Sequence, residues 1–150
     1  IADDAVTAAK ATGFGKIGQI VSGTQTADMS SSSTSYVQNF SVQITPVATS
    51  SKIAVISHSG RLDTNSSGAA IAVAIYRDST NITNYTQGGA QGRFESANAS
   101  LGNVSINLVD SPNSTSQLTY YMYYKSENGS HTVFLNNDAL TSMILMEILA

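Results

Sequence analysis

From residue 16 onward apolar and polar positions alternate with a period of two, the repeat of a strand whose side chains point to opposite faces. Residues 17–26 give a first strand and 28–34 a Ser-rich loop. In 36–45, Phe40, Val42 and Ile44 share a face that Gln38 interrupts, and Pro46 ends the run. Residues 52–59 set Ile53 and Val55 against Ala54 and Ile56. A turn cluster over 63–68 leads to 69–77, with Ile71, Val73 and Ile75 on one side and alanines on the other. Asp78-Ser79 turns the chain into 80–85, a Gly-rich loop covers 87–92, and 92–99 reads as extended. Val104, Ile106 and Leu108 mark a strand over 104–109, and a polar stretch with Pro112 follows. The long strand 117–125 sends Leu118, Tyr120, Met122 and Tyr124 one way and Thr119, Tyr121 and Tyr123 the other. Asn128-Gly129 suits a hairpin turn, because its central residues accept positive φ, so 131–135 is expected to pair back across it.

The chain closes on its most apolar run, residues 142–150, in which seven of nine are apolar. That is short of the roughly 20 residues a membrane-spanning helix needs and fits a strand buried on both faces. Ile144, Met146 and Ile148 point to one side, Met143, Leu145 and Leu149 to the other. One face is expected to enter the core and the other to be covered by another copy of the chain. Met143, Leu145 and Glu147, together with Tyr121 and Tyr123, are the residues expected at that contact. Eight or nine short strands with turn signals about every 8–12 residues indicate an all-β sandwich or barrel. Eight antiparallel strands around a central C-terminal one fit a jelly roll. Ahead of it, Ala-rich residues 1–11 read as a short helix capped by Asp3 or Asp4 and broken by Gly13 and Gly15. Such a piece is too short to stand alone in water, so residues 1–15 are expected to be a shaft or trimerisation segment and 16–150 the head domain.

Only 11% of the residues are charged, and the net charge is -3. The seven basic residues are scattered singly, which argues against nucleic acid as a partner. Ser, Thr and Asn make up 49 of the 150 residues, so the surface is hydrated by neutral groups instead of charges. There is no cysteine, no signal peptide and no apolar span for membrane insertion. These features suit a protein made in a cytoplasm that works outside it. The chain opens on Ile1 instead of Met, which reads as the end of a longer protein or a processed product.

Candidate chemistry is sparse. Ser57-His58-Ser59 with Asp63 lacks the nucleophile-elbow pattern and a group to orient it. His58 and His131 stand apart and there is no Cys, so no metal or cofactor is expected. Gly88, Gly89 and Gly92 precede no helix and do not make a phosphate loop. Ten acids, mostly at turns, give no evident carboxylate pair of the kind glycan hydrolysis needs. Residues 81–97 are the candidate ligand segment, bringing Asn84, Tyr85, Gln91, Arg93, Phe94 and Glu95 together. Amides, an Arg and flat aromatic faces suit a polar glycan, and loops on rigid scaffolds carry binding residues.

Several phrases occur in a telling order. They are Ile-Ala-Asp-Asp-Ala-Val-Thr-Ala-Ala-Lys over 1–10, Gly-Lys-Ile-Gly-Gln-Ile-Val-Ser over 15–22, and Ile44-Thr45-Pro46 with Ser50-Ser51-Lys52-Ile53. Tyr76-Arg77-Asp78-Ser79-Thr80 follows, then Asp110-Ser111-Pro112 with Thr119-Tyr120, and last Met146-Glu147-Ile148. In this order they resemble the shaft end and distal domain of bacteriophage tail fibres of the marine-phage type. The resemblance implies a homotrimeric, non-enzymatic fibre tip on the virion, shaped like the trimeric jelly-roll heads of the tumour-necrosis-factor and complement families. It implies attachment to other virion proteins through the N-terminus and to a host-surface glycan or protein at the head. It carries no catalytic residues. A head-fibre or decoration protein, or a secreted trimeric lectin- or cytokine-like module, is the alternative.

Overall fold

The computed structural model describes residues 16–83, 89–93, 100–136 and 138–149; the expected shaft segment, 1–15, lies outside them. The described residues are all-β. Their strands are β1 (Lys16–Gln25), β2 (Met29–Ser31), β3 (Val37–Ile44), β4 (Lys52–His58), β5 (Leu62–Thr64), β6 (Ala70–Arg77) and β7 (Thr80–Asn81). They continue with β8 (Ala90–Arg93), β9 (Ser100–Gly102), β10 (Ser105–Asp110), β11 (Leu118–Ser126), β12 (Val133–Leu135) and β13 (Thr141–Leu149).

The pairing shows how the chain rolls up. β1 pairs with β13, β3 with β11, β4 with β10 and β6 with β8, all antiparallel. The chain is thus one long hairpin, its ends paired first and its middle last, wrapped into two facing sheets. One sheet runs β1-β13-β4-β10; the other runs β3-β11-β6, with β7 and β8 on the outer edge of β6. This is the jelly-roll arrangement that the alternation predicts. The short strands β2, β12, β5 and β9 form a third ladder.

Between the sheets lie Phe40, Val42 and Ile44 of β3, Ile53 and Val55 of β4, and Ile71, Val73 and Ile75 of β6. Leu118, Tyr120, Met122 and Tyr124 of β11 meet Met143 and Leu145 of β13 there. Because β13 is flanked by β1 and β4, no edge of it is left to template aggregation.

Two β-bulges decide which side chains share a face. In β3 the register skips Asn39: Phe40 pairs with Met122 but Gln38 with Tyr123. An extra residue reverses the alternation. Val37 then packs on the core and Gln38 faces out, which explains the interruption at Gln38. In β1, Ile17 opposes Ile148 and Ile20 opposes Met146, so Gly18 and Gln19 together face Glu147. That bulge turns Gln19 inward and puts Ile17 and Ile20 on the same outer face.

The expected hairpin at Asn128-Gly129 is not one. A turn forms, with the His131 N–H donating to the Asn128 carbonyl at 3.0 Å. Gly129 is not among the positive-φ residues, however, and β12 pairs with β2 and β5 instead of β11. Both edges of β11 are already taken by β3 and β6, which leaves β12 nothing to pair with there. The two-residue hairpin is at Asp78-Ser79, where Asp78 adopts φ 51 and Arg77 pairs with Thr80.

A buried polar network that the alternation does not reveal joins β4, β3 and the approach to β13. The Gly60 N–H donates to Thr141 Oγ at 2.7 Å, and Thr141 donates to Asn136 Oδ1. The Asn136 amide donates to the Ala27 carbonyl at 2.9 Å and to Asn39 Oδ1 at 3.2 Å. Asn39, Asn136 and Thr141 are buried, and Asn136 takes φ 73.

Candidate functional site

The phrases that resemble fibre ends meet in space as two polar clamps. Glu147 accepts from Gln19 Nε2 and from the Val47 N–H, each at 2.7 Å, and Gln19 also donates to the Thr45 carbonyl at 2.7 Å. Burial pushes this carboxyl up. The hydrogen bonds it accepts, from Gln19 and the Val47 backbone among them, outweigh burial and hold the group below the ordinary carboxylate range. In the second clamp Arg77 Nη1 donates to both Asp110 oxygens, at 2.7 and 2.6 Å, and the Tyr120 hydroxyl donates to Oδ2 at 2.7 Å. Burial and the bond to Asp110 push the Tyr120 phenol up. Arg77 and Tyr120 come from one sheet and Asp110 from the other, so the clamp ties the sandwich together. Asp110 and Glu147 flank Ile53 from either side, which puts both clamps at the same end of the molecule.

The residues expected at an intersubunit contact divide. Met143, Leu145 and Glu147 are buried by the chain's own residues, so they face the core and cannot meet a neighbour. The side of β13 that a neighbour can reach is the opposite one, and the correction follows from burial within a single copy. On it Ile20, Met146, Ala54 and Val109 lie side by side across the sheet, next to Ile144 and Ile56. Ile17 (53%), Ile20 (58%), Val109 (59%), Ile56 (45%) and Ile144 (37%) are exposed here. A contiguous apolar patch of this kind is the usual mark of an interaction surface.

Tyr121 and Tyr123 lie on the outer face of the other sheet, half-buried, in a cluster of tyrosines. Tyr121 pairs with Tyr76 across β6, and Tyr123 with the small Ala74. Ring centroids are 4.6 Å apart for Tyr76 and Tyr123, 5.6 Å for Tyr121 and Tyr123, and 5.7 Å for Tyr36 and Tyr76. Counting by twos from Phe40 would send Tyr36 into the core; the bulge at Asn39 brings it out to this cluster. Lys125 Nζ sits 5.2 Å over the Tyr36 ring and 3.2 Å from Glu127. Burial, with Tyr76 and Glu127 nearby, pushes the Tyr36 phenol up to about 12, so it is a neutral donor at physiological pH. Tyr36, Tyr76, Tyr123 and Lys125 line an open depression of about 580 Å³, with Thr34, Ser35, Asp78 and Ser79 completing the wall.

The candidate ligand segment lies partly outside the described residues, with Asn84, Tyr85, Phe94 and Glu95. Gln91 and Arg93 belong to β8, paired with Ala72 and Ala70 of β6, and Arg93 is exposed. β8 therefore borders β6, the strand that carries Tyr76. Ser57, His58, Ser59 and Asp63 do not assemble as a triad. Ser57 Oγ donates to the Ile106 carbonyl at 2.7 Å, Ser59 Oγ to the Gly60 carbonyl at 2.9 Å, and Asp63 accepts from Arg61 at 2.8 Å. Among the described residues no three His, Asp or Glu side chains are grouped to hold a metal ion.

No family model matches this chain, and neither does any curated protein. Solved structures similar to it include T=1 particles derived from infectious bursal virus, at 14% identity and a TM-score of 0.49, covering 88% of this chain and 36% of that one. The T13 viral particle of the same virus is similar at 15% identity and a TM-score of 0.46, covering 88% and 36%. The VP2 subviral particle of infectious bursal disease virus is similar at 12% identity and a TM-score of 0.46, covering 87% and 39%. The chain thus spans between 36% and 39% of the length of these three.

Proposed function

We propose that this chain is a structural and adhesive virion component, the jelly-roll head of a homotrimeric fibre tip that attaches a particle to a host surface. The observation that carries the reading is the apolar outer face of β1, β13, β4 and β10. It is contiguous, neutral along its central rows, and formed by the sheet that holds both ends of the described chain. A face of this character is covered in a working protein, and a neutral apolar surface suits further copies of the same chain, packed head to tail around a closed ring. The number three comes from the ordered phrases shared with phage fibre ends. With one sheet turned toward its copies, the tyrosine-bearing sheet remains outward for contact with a host. The protein works on the outside of the particle without a cofactor and without turning over a substrate. Gold-labelled antibody against the chain, applied to intact particles, tests the placement. Label at fibre ends is expected; label confined to the capsid shell, or absent from the particle, would count against it.

A further inference from the structure

The geometry points to a carbohydrate-binding site in the depression between Tyr36, Tyr76, Tyr123 and Lys125, selective for uncharged saccharides. This rests on the adhesive part of the proposed function and gives it a place and a ligand class, on the outer face of the sheet that β3, β11 and β6 form.

Three observations carry the inference. The first is the set of aromatic faces. Large aromatic side chains on the outer face of a sheet are a departure from ordinary surface chemistry, and apolar walls with a few placed polar groups are what small-ligand sites share. A pyranose ring has a flat face of C–H groups and an equatorial belt of hydroxyls. The tilted pair Tyr76 and Tyr123, at 4.6 Å and 47°, offers the first a wall.

The second is the balance of charge. Lys125 is held by Glu127 at 3.2 Å, and Asp78 Oδ1 accepts the Thr119 N–H at 3.0 Å. The wall therefore presents an acid beside a neutralised cation, a poor setting for an anionic ligand and a good one for hydroxyls that donate and accept.

The third is unspent hydrogen-bonding capacity. Tyr36 Oη is buried without a hydrogen-bond partner among the described residues, and a buried polar group in that state calls for an explanation. Thr34 and Ser79 complete a ring of short polar residues around the tyrosines. A polyol satisfies such a ring at several points at once, whereas a proline-rich peptide, the other ligand of aromatic grooves, brings carbonyl acceptors alone.

The test is an array of neutral hexose- and N-acetylhexosamine-containing oligosaccharides probed with the labelled full chain. A titration of the strongest binder, followed by tyrosine fluorescence, comes next. The chain has no Trp and seven Tyr, so the signal comes from the tyrosines. Saturable binding is expected. Tyr76→Ala and Tyr123→Ala should each weaken it by about tenfold or more, as loss of an aromatic wall does, while Tyr123→Phe should stay within about threefold because the ring remains. A readout independent of variants is the proton spectrum. Ring resonances of Tyr36, Tyr76 and Tyr123 should move on titration and those of core Tyr124 should not. Absence of binding to every array saccharide, unchanged binding in the Tyr76→Ala/Tyr123→Ala double variant, shifts confined to other residues, or binding of decaproline in place of saccharides would each overturn the inference. Oligomeric state is measured separately, so a monomer that binds saccharide defeats the trimer and spares this site, and a trimer that binds none does the reverse.

Discussion

Glu147 shows how much one residue can hold. It sits mid-strand in an apolar run, where sequence alone suggests a contact with neighbouring copies, yet it anchors β1 and the β3–β4 loop to β13. Its carboxyl is held below its ordinary value of 4.5. A carboxylate of this kind adds stability above that value and loses it as pH falls through the lower folded value, where the native state must also take up the proton. Urea unfolding from pH 7 down to pH 3 should show wild-type stability falling on acidification, with a shallower fall in Glu147→Gln. The variant should lose about 2 kcal/mol at neutral pH, the scale of one hydrogen bond to a charged group. Equal pH slopes would contradict the clamp. Gly60 is a second case. A Cβ built there would stand 2.6 Å from the Asn136 Cα, against backbone that has nowhere to go. Gly60→Ala should cost about 1–3 kcal/mol by overpacking, read as a lower urea midpoint with an unchanged slope. Neither role was legible in the sequence, because each partner lies far along the chain: Gln19 is 128 residues from Glu147.

At the scale of elements, the period-two pattern located the long strands well. Residues 117–125 and 142–150 were read nearly to the observed Leu118–Ser126 and Thr141–Leu149, because a buried strand must keep its alternation. The errors fall where the alternation is broken or where pairing is decided elsewhere. The bulges at Asn39 and at Gly18-Gln19 each reverse a face, so Tyr36 and Ile17 change sides. Asn128-Gly129 carries a hairpin signal, but β11 has no open edge for β12. The inward and outward sides of β13 were exchanged for a related reason: both are apolar, and only packing against β3 and β11 tells them apart. The two sides therefore predict different mutant behaviour. Leu145→Ala should destabilise the fold by about 2–5 kcal/mol, as large-to-small core changes do. Ile144→Ser should leave the circular dichroism spectrum and urea midpoint of the dissociated chain nearly unchanged and act on assembly alone. A large loss of intrinsic stability from Ile144→Ser would place that side in the core after all. Of the candidate ligand residues, Gln91 and Arg93, expected in a loop-rich segment, lie instead in β8, paired with β6. The tyrosine cluster itself was half visible, as Tyr121 and Tyr123; Tyr36 and Tyr76 join them only through the bulge and the β6–β11 register.

For the whole molecule, the two sheets divide the work. One face is apolar and the other is a tyrosine-lined, polar-rimmed surface, with the Asp110 clamp tying the sheets to each other and the Glu147 clamp tying the β3–β4 loop to β1 and β13. This division is what the proposed fibre tip requires: one side to meet its copies and one to meet a host. In the proposed trimer, multivalency would set the strength of attachment, since three weak sites acting together raise avidity by about 10²–10⁴ when the geometry allows simultaneous contact. The central claim is assembly through the outer face of β1, β13, β4 and β10, and its most direct test is the mass in solution by light scattering at micromolar concentration, for the wild type and for Ile20→Asp and Ile144→Asp. The account predicts three times the chain mass of 15.7 kDa for the wild type, and a single chain mass with an unchanged circular dichroism spectrum for each variant, because burying a charge against that face costs several kcal/mol. A wild-type mass of one chain, or variants that remain trimeric, would contradict it.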